Sequence, residues 1–450
     1  MAMFRSHGWT AAVLLLAIAM ASALVCASAL GAIPRDEFGS RLDTRRAATG
    51  FFRTSRAEGR WWLVDPNGHL FLSIGVNLVT LTGPAATQED RSAYRETMLS
   101  QYGGETEWAR ETVARLRKWG FNTIGDGSDR VLREQRIPYT INLRCSAVWP
   151  REEEGEFADV FDPRFERAVR RHVEQRCRGL AENRWLLGYF TDGELPWGET
   201  DVPGQTLLAR FLGLADDAPG RRMLLQFLAT RHLNIRELNA VWGTNYDSFD
   251  EIGRVPQVGS RIPEPDIEAF EREVAREYFR VVHDAIRAVD RNHLILGPRF
   301  SGGVPRPVLE ATGDYVDAVS LAVRGDAPPE DTLREIHRVT GRPVIIAEFG
   351  AGDSESSMQI SSAAQAGILQ DRAEHYEEFV SSAFTLPMVV GVNWFSYADR
   401  WELDRLGRER VRTGLVGRYD EPHYTLVEAV TRVNRGLYER LASQNQQPTD

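Results

Sequence analysis

At 450 residues, with 42% hydrophobic and 26% charged side chains, the chain can bury a large core within one α/β domain. Its net charge of −10 gives no basic footprint for nucleic acid, and no run of like charge marks a membrane-binding tail. A neutral or weakly charged ligand fits this balance better.

The chain begins with Arg5, an apolar run over Ala11–Val25 and the small residues Ala27-Ser28-Ala29. That order predicts an export signal over residues 1–29 and a secreted or periplasmic protein, with an uncleaved anchor helix as the alternative. Cys26 follows Ala23-Leu24-Val25, a poor context for lipidation. Residues 30–50 are polar and lack apolar periodicity, so they read as a linker; 51–440 read as the folded domain and 441–450 as a polar tail. Cys145 and Cys177 are too few for a disulfide framework and are not at zinc spacing, which leaves one bridge or none.

Arg60–Val64 and His69–Leu72 flank Asp65-Pro66-Asn67-Gly68, where Pro and Gly supply turn geometry, so a hairpin is predicted ahead of the main pattern. Short apolar, β-rich runs then alternate with amphipathic helical stretches. The strands are expected at Phe71–Val79, Asn122–Gly125, Tyr139–Leu143, Trp185–Thr191, His293–Pro298, Ala318–Val323, Val344–Phe349 and Val389–Phe395. Eight strands with crossover helices predict a (β/α)8 barrel. An open doubly wound sheet is the rival, but Gly75-Val76-Asn77 is not the glycine-rich phosphate turn that would announce one. The connection Leu195–Arg261 exceeds a plain loop and contains helical stretches, so it reads as an insertion over the barrel mouth after the fourth strand.

Reacting groups of such a barrel stand at the C-terminal ends of its strands. Two glutamates stand there: Glu194 after the fourth strand and Glu348 closing the seventh. Glycoside hydrolysis needs one carboxylic acid to protonate the leaving oxygen and one carboxylate facing the anomeric carbon, about 5–5.5 Å apart when configuration is retained. In that chemistry Glu194 has to hold its proton and Glu348 to stay ionised. Arg144 and Arg299 end the third and fifth strands and can fork onto a carboxylate or onto hydroxyls, or form ordinary ion pairs.

Other chemistries find less support. His172, Glu174 and Cys177 share one helix without sharing one face, and Gly352-Asp353-Ser354-Glu355-Ser356 lacks the second glycine of a nucleophile elbow. Gly350-Ala351-Gly352 lacks the third glycine of a dinucleotide turn, so no metal and no nucleotide cofactor is expected.

The motifs Gly59–Gly68, Ser73–Asn77, Leu187–Glu194, Leu238–Thr244, Val344–Phe349 and Asn393–Tyr397 together resemble the clan of (β/α)8 retaining glycoside hydrolases, in its β-agarase-like and β-galactosidase-like branches. The resemblance covers Phe51 to about Leu437 and implies Glu194 as acid/base, Glu348 as nucleophile and Trp394 as a sugar platform. Asn77, Asp192, Trp197, Trp242, Arg299, Trp394 and Tyr397 are the substrate-binding candidates, with Trp149 a further mouth aromatic; core packing is the alternative for the tryptophans. Two departures stand out. Gly193 occupies the place where the clan mostly has an Asn that bonds the sugar 2-hydroxyl, and strand six lacks the polar residue that supports the nucleophile, a role Arg324 or Arg299 can take. The expected activity is cleavage of a neutral poly- or oligosaccharide, with β-galactosidic linkages favoured by resemblance. A sugar-binding barrel without turnover is the alternative, and no protein partner is evident.

Overall fold

Each barrel strand is apolar on both faces because its inner side chains fill the barrel and its outer ones meet helices. A computed structural model describes residues 33–83, 88–150, 157–197, 206–252, 262–350, 362–399, 402–403, 409–410, 414–417 and 419–444. The expected export signal lies outside them. Among the described residues no helix is long and apolar enough to cross a membrane.

A preliminary antiparallel sheet holds β1 (Arg53–Ala57), β2 (Arg60–Val64) and β3 (Leu70–Phe71). The expected hairpin is β2–β3, and β1 adds a strand that periodicity did not reveal. The parallel strands are β4 (Ser73–Val76), β5 (Thr123–Ile124), β6 (Tyr139–Asn142), β7 (Leu186–Phe190), β8 (Leu294–Gly297), β9 (Arg299–Ser301), β10 (Val319–Ala322), β11 (Val344–Phe349) and β12 (Val389–Trp394). Their order is β8-β7-β6-β5-β4-β12-β11-β10-β9.

The outermost members, β8 and β9, are successive pieces of the fifth barrel strand, separated only by Pro298. Gly297 takes φ +70 there, and Pro298 brings no amide to the ladder, so the strand bends between its two pairings. β8 pairs with β7 and β9 with β10, and the ring closes through the chain itself. This is the expected (β/α)8 barrel.

The crossover helices carry ordinary start and stop chemistry. The first two are α1 (Gln88–Tyr102) and α2 (Glu105–Lys118). α3 (Pro163–Cys177) starts with Pro after Asp162, whose carboxylate accepts from the Arg164 N–H at 2.7 Å. Phe165, Val169, Val173 and Cys177, four residues apart, form its buried stripe.

The insertion contributes α4 (Leu207–Leu212), α5 (Pro219–Arg231) and α6 (Ile235–Trp242), and it is fastened to the start of α7 (Glu264–Val289). The fastener is Asp266, 3% exposed, which accepts from Trp242 Nε1 at 2.7 Å and Arg231 Nε at 2.6 Å, with His232 Nε2 at 2.8 Å. Burial alone would raise its pKa, but these donors hold it below the usual range. The remaining helices are α8 (Arg306–Thr312), α9 (Glu330–Thr340), α10 (Ser362–Thr385), α11 (Tyr424–Arg435) and α12 (Leu437–Gln444).

Two segment readings need correction. Residues 33–50 are not a free linker: Phe38 is 1% exposed, the Arg41 N–H donates to Leu70 O at 3.0 Å, and Arg41 forks onto Asp43 and Glu58. Side-chain-to-backbone bonds replace a periodic apolar face here; Asp36 alone accepts from the Phe38 and Ser40 amides. The polar tail starts later than 441, because α12 runs to Gln444 and Leu441 is buried. Cys145 and Cys177 are both buried and free.

Candidate active site

The cleft at the C-terminal face has a volume of about 480 Å³, and its lining includes Asn142, Arg144, Trp149, Glu194 and Arg299. A second groove, of about 430 Å³, lies among Arg56, Trp61, His337 and Met388, at the opposite end of the barrel where β11 and β12 begin. Among the described residues its lining holds no carboxylate, whereas that of the mouth holds Asp192 and Glu194.

Glu194 follows β7 and its side chain is 36% exposed; Arg324, just beyond β10, donates to its Oε1 at 2.7 Å. Burial would raise this carboxyl, but the hydrogen bonds from Arg324 and Ser301 and the charges of Arg324 and Arg299 outweigh it, and its pKa is lowered. Glu348 ends β11 and is 21% exposed; Arg299 Nη1 lies 3.1 Å from its Oε2. Here burial dominates. Loss of solvation, reinforced by the charges of Glu194 and Asp126, raises Glu348 against the pull of Arg299 and Arg324. The order is the reverse of the one expected, in which Glu194 keeps the proton. The cause is Arg324, whose guanidinium stabilises the ionised form of the more exposed glutamate.

Arg299 is the hub of the pair. Its Nη1 also lies 3.3 Å from Asp126, which accepts from Asn142 Nδ2 at 3.1 Å. A Cβ added at Gly193 would sit 3.6 Å from Arg299 Nη2, so the guanidinium stands beside the space that a side chain at 193 would use. Arg299 thus supplies the polar support for Glu348 that strand six lacks.

No family model matches the sequence. β-Agarase A of Vibrio sp. (strain JT0107) is 28% identical over 491 aligned residues, covering 91% of this chain and 49% of that protein. β-Agarase B of the same organism is 27% identical, covering 87% of this chain and 48% of its own length. The chain is agarase-like. It spans about half the length of these two relatives. The solved structure of PfGH50B superposes with a TM-score of 0.77 at 25% identity, covering 90% of this chain and 69% of that one. An exo-β-agarase structure gives the same TM-score at 23% identity, covering 93% and 70%.

Most of the binding residues expected in this agarase-like barrel turn out to be structural. Trp394 is 0% exposed and packs edge-on against Phe349 and Tyr376, so it offers no face to a sugar. Trp197 stacks on Phe279 at 5.7 Å and is buried, and Trp242 is spent on Asp266. Tyr397 is buried, donating to Asp420 at 2.8 Å and accepting from Arg115 at 3.0 Å. Asn77 is buried and ties three strand ends: its Nδ2 donates to Ala347 O at 2.9 Å and its Oδ1 accepts from the Asp126 N–H at 3.1 Å. Asp192 is buried, accepting from the Ser146 amide and hydroxyl and from Tyr278. Of the seven, Arg299 alone combines partial exposure with a place in the cleft beside the glutamates.

Sequence reasoning missed Asp126 and Ser301. Asp126 follows the second barrel strand by two residues and Ser301 closes the fifth, so the strand-end rule that singled out Glu194 would have found both. Among the described residues no group of three His, Cys, Asp or Glu side chains is placed to hold a metal ion.

Proposed function

We propose that the protein is a retaining glycoside hydrolase acting on β-galactosidic bonds of an agar-type polysaccharide. The observation that carries this reading is the meeting of Glu194 and Glu348 around Arg299 at the ends of barrel strands four and seven. The similarity to the Vibrio β-agarases supplies the substrate class.

In this mechanism Glu348 attacks the anomeric carbon as the Glu194 proton passes to the departing oxygen, forming a covalent glycosyl-enzyme. Glu194 then takes a proton from water, whose oxygen displaces Glu348. Arg299 favours the ionised form of the half-buried Glu348 for attack. Arg324 has to leave Glu194 when substrate enters, because a carboxylate held at 2.7 Å by a guanidinium is a poor acid. The enzyme remains export-bound in this reading, working outside the cytoplasm on a polymer.

Incubation of the mature chain with aryl β-galactosides and agarose oligosaccharides tests the proposal, beside folded Glu194→Gln and Glu348→Gln variants. Sugar release by the wild type, lost in both variants, is the expected result. The lowered pKa of Glu194 favours one competing reading, a sugar-binding barrel without turnover. Binding without release, equal in all three proteins, would establish that one.

A further inference from the structure

Arg299 serves two carboxylates with one nitrogen. Its Nη1 lies 3.1 Å from Glu348 Oε2 and 3.3 Å from Asp126 Oδ2. Its Nε is buried and has no hydrogen-bond partner among the described residues, so Nε adds no hold of its own.

Asp126 does not depend on Arg299 for its place. It stands two residues past β5 and is 8% exposed. Its Oδ1 accepts from the Gly127 N–H at 2.6 Å and its Oδ2 from Asn142 Nδ2 at 3.1 Å. Its backbone is tied too, the N–H donating to Asn77 Oδ1 at 3.1 Å and the carbonyl accepting from the Leu78 N–H at 2.9 Å. Asn77 in turn donates to Ala347 O, next to Glu348. One frame of strand ends therefore holds both carboxylates, with the guanidinium between them.

The frame matters because Glu348 changes charge in a double displacement. Before attack, two carboxylates compete for one cation. A Glu348 oxygen then bonds to the anomeric carbon while the glycosidic bond breaks and the leaving oxygen takes the Glu194 proton, so Glu348 becomes a neutral ester. Arg299 is left with Asp126, a one-to-one pair at a place where an uncompensated charge away from water is costly.

We propose that Asp126 is a positioning residue for the nucleophile, sharing Arg299 with Glu348 before attack and keeping that guanidinium paired once Glu348 is esterified. This rests on the retaining hydrolase reading above. Asp126 acts through Arg299 and not on the substrate. The charges that bear on Glu348 are those of Arg299 opening β9, Arg324 beyond β10, Glu194 after β7 and Asp126 after β5.

Two variants of the full chain, Asp126→Asn and Asp126→Ala, each checked for folding, remove the charge with and without a polar group in its place. The substrate is an aryl β-galactoside with a leaving group so activated that breakdown of the glycosyl-enzyme limits kcat. On it kcat/KM reports formation of the ester and kcat its breakdown. Both variants should lose about tenfold in kcat/KM, the worth of one charged hydrogen bond, and less than twofold in kcat. Equal losses in the two constants are what plain structural damage gives, and they would overturn the proposal.

A second readout needs no turnover. Carboxyl-carbon NMR of Glu348, assigned by its loss in Glu348→Gln, follows the titration of the nucleophile directly. Either Asp126 variant should move that titration to lower pH, because a repelling charge is gone and Arg299 then serves Glu348 alone. In an Arg299→Gln background the shift should shrink, since nothing remains to be shared. An equal shift in both backgrounds would make Asp126 a bystander charge and sink the proposal. Turnover by the wild type without the kinetic split sinks this inference alone; no turnover by the wild type sinks the hydrolase reading, and the titration still decides whether Arg299 is shared.

Discussion

The ends of β7 and β11 present the same side chain in two settings. Glu194 is the more exposed and is gripped by an arginine on its solvent side; Glu348 is deeper and meets its arginine from within the barrel. Both have a guanidinium within hydrogen-bonding distance, yet their pKa values move apart, down for Glu194 and up for Glu348. A cation therefore does not fix a carboxylate's protonation by itself. Its effect is measured against desolvation, which hydrogen bonds from Arg324 and Ser301 together with two guanidinium charges outweigh at Glu194, and which charge alone does not outweigh at Glu348. The resting site holds its proton preference in the order opposite to the one the proposed double displacement needs, and release of Glu194 by Arg324 is what would exchange them.

The largest effect is expected from Glu348→Gln, which keeps the shape and removes the nucleophile: kcat should fall by about 10⁴-fold or more with the fold intact. A loss below tenfold would break the pairing of the two glutamates. Arg299→Gln comes next, with a fall in kcat/KM of roughly 10²-fold. Removing that cation raises Glu348 further, so the acidic limb of the pH–rate profile, where the nucleophile must ionise, should move to higher pH. A limb that stays in place would take Arg299 out of contact with the nucleophile.

Arg324→Gln sharpens the other side. Without the guanidinium the Glu194 pKa rises, so the basic limb, where the acid loses its proton, should move to higher pH. An unchanged limb would mean that Arg324 leaves Glu194 before the proton is needed and sets nothing.

A third carboxylate supplies burial without a cation. Glu271, in α7, is 0% exposed, and among the described residues neither of its oxygens has a hydrogen-bond partner; burial, with help from Glu268, pushes it up to about 7. Because the folded value lies above the unfolded one, it binds more protons when folded, and stability falls as pH rises from about 4.5 to 7. Glu271→Gln should therefore raise stability by on the order of 2–3 kcal/mol at pH 8 and little at pH 4, measured by denaturant unfolding. An equal effect at both pH values would point to packing instead of ionisation.

The barrel was legible because parallel strands buried on both faces write continuous apolar runs, and all eight lie where those runs stand. The glutamates were legible because strand ends are marked by the same runs. Burial of side chains around them was not. Trp394 belongs to the wall between β11 and α10, and Trp242 to a clamp on Asp266, and both depend on contacts far apart in the chain. Asn77, Asp192 and Tyr397 share one lesson: a polar residue at a strand end can be there to tie loops together, and only its partners separate that role from contact with a sugar. The segment 33–50 hid for a related reason, since its order comes from Asp36 and Arg41 rather than from a periodic apolar face.

The central claim is that Glu194 and Glu348 act on opposite faces of one anomeric carbon, and azide rescue tests it most directly. With an aryl β-galactoside bearing a good leaving group, Glu348→Ala should yield the α-galactosyl azide, because azide enters through the space the nucleophile vacated. Glu194→Ala should yield the β-galactosyl azide, because azide intercepts the glycosyl-enzyme whose hydrolysis now lacks a base. Those two products with those two variants are the predicted result; the same anomer from both, or the anomers exchanged, would contradict the assignment.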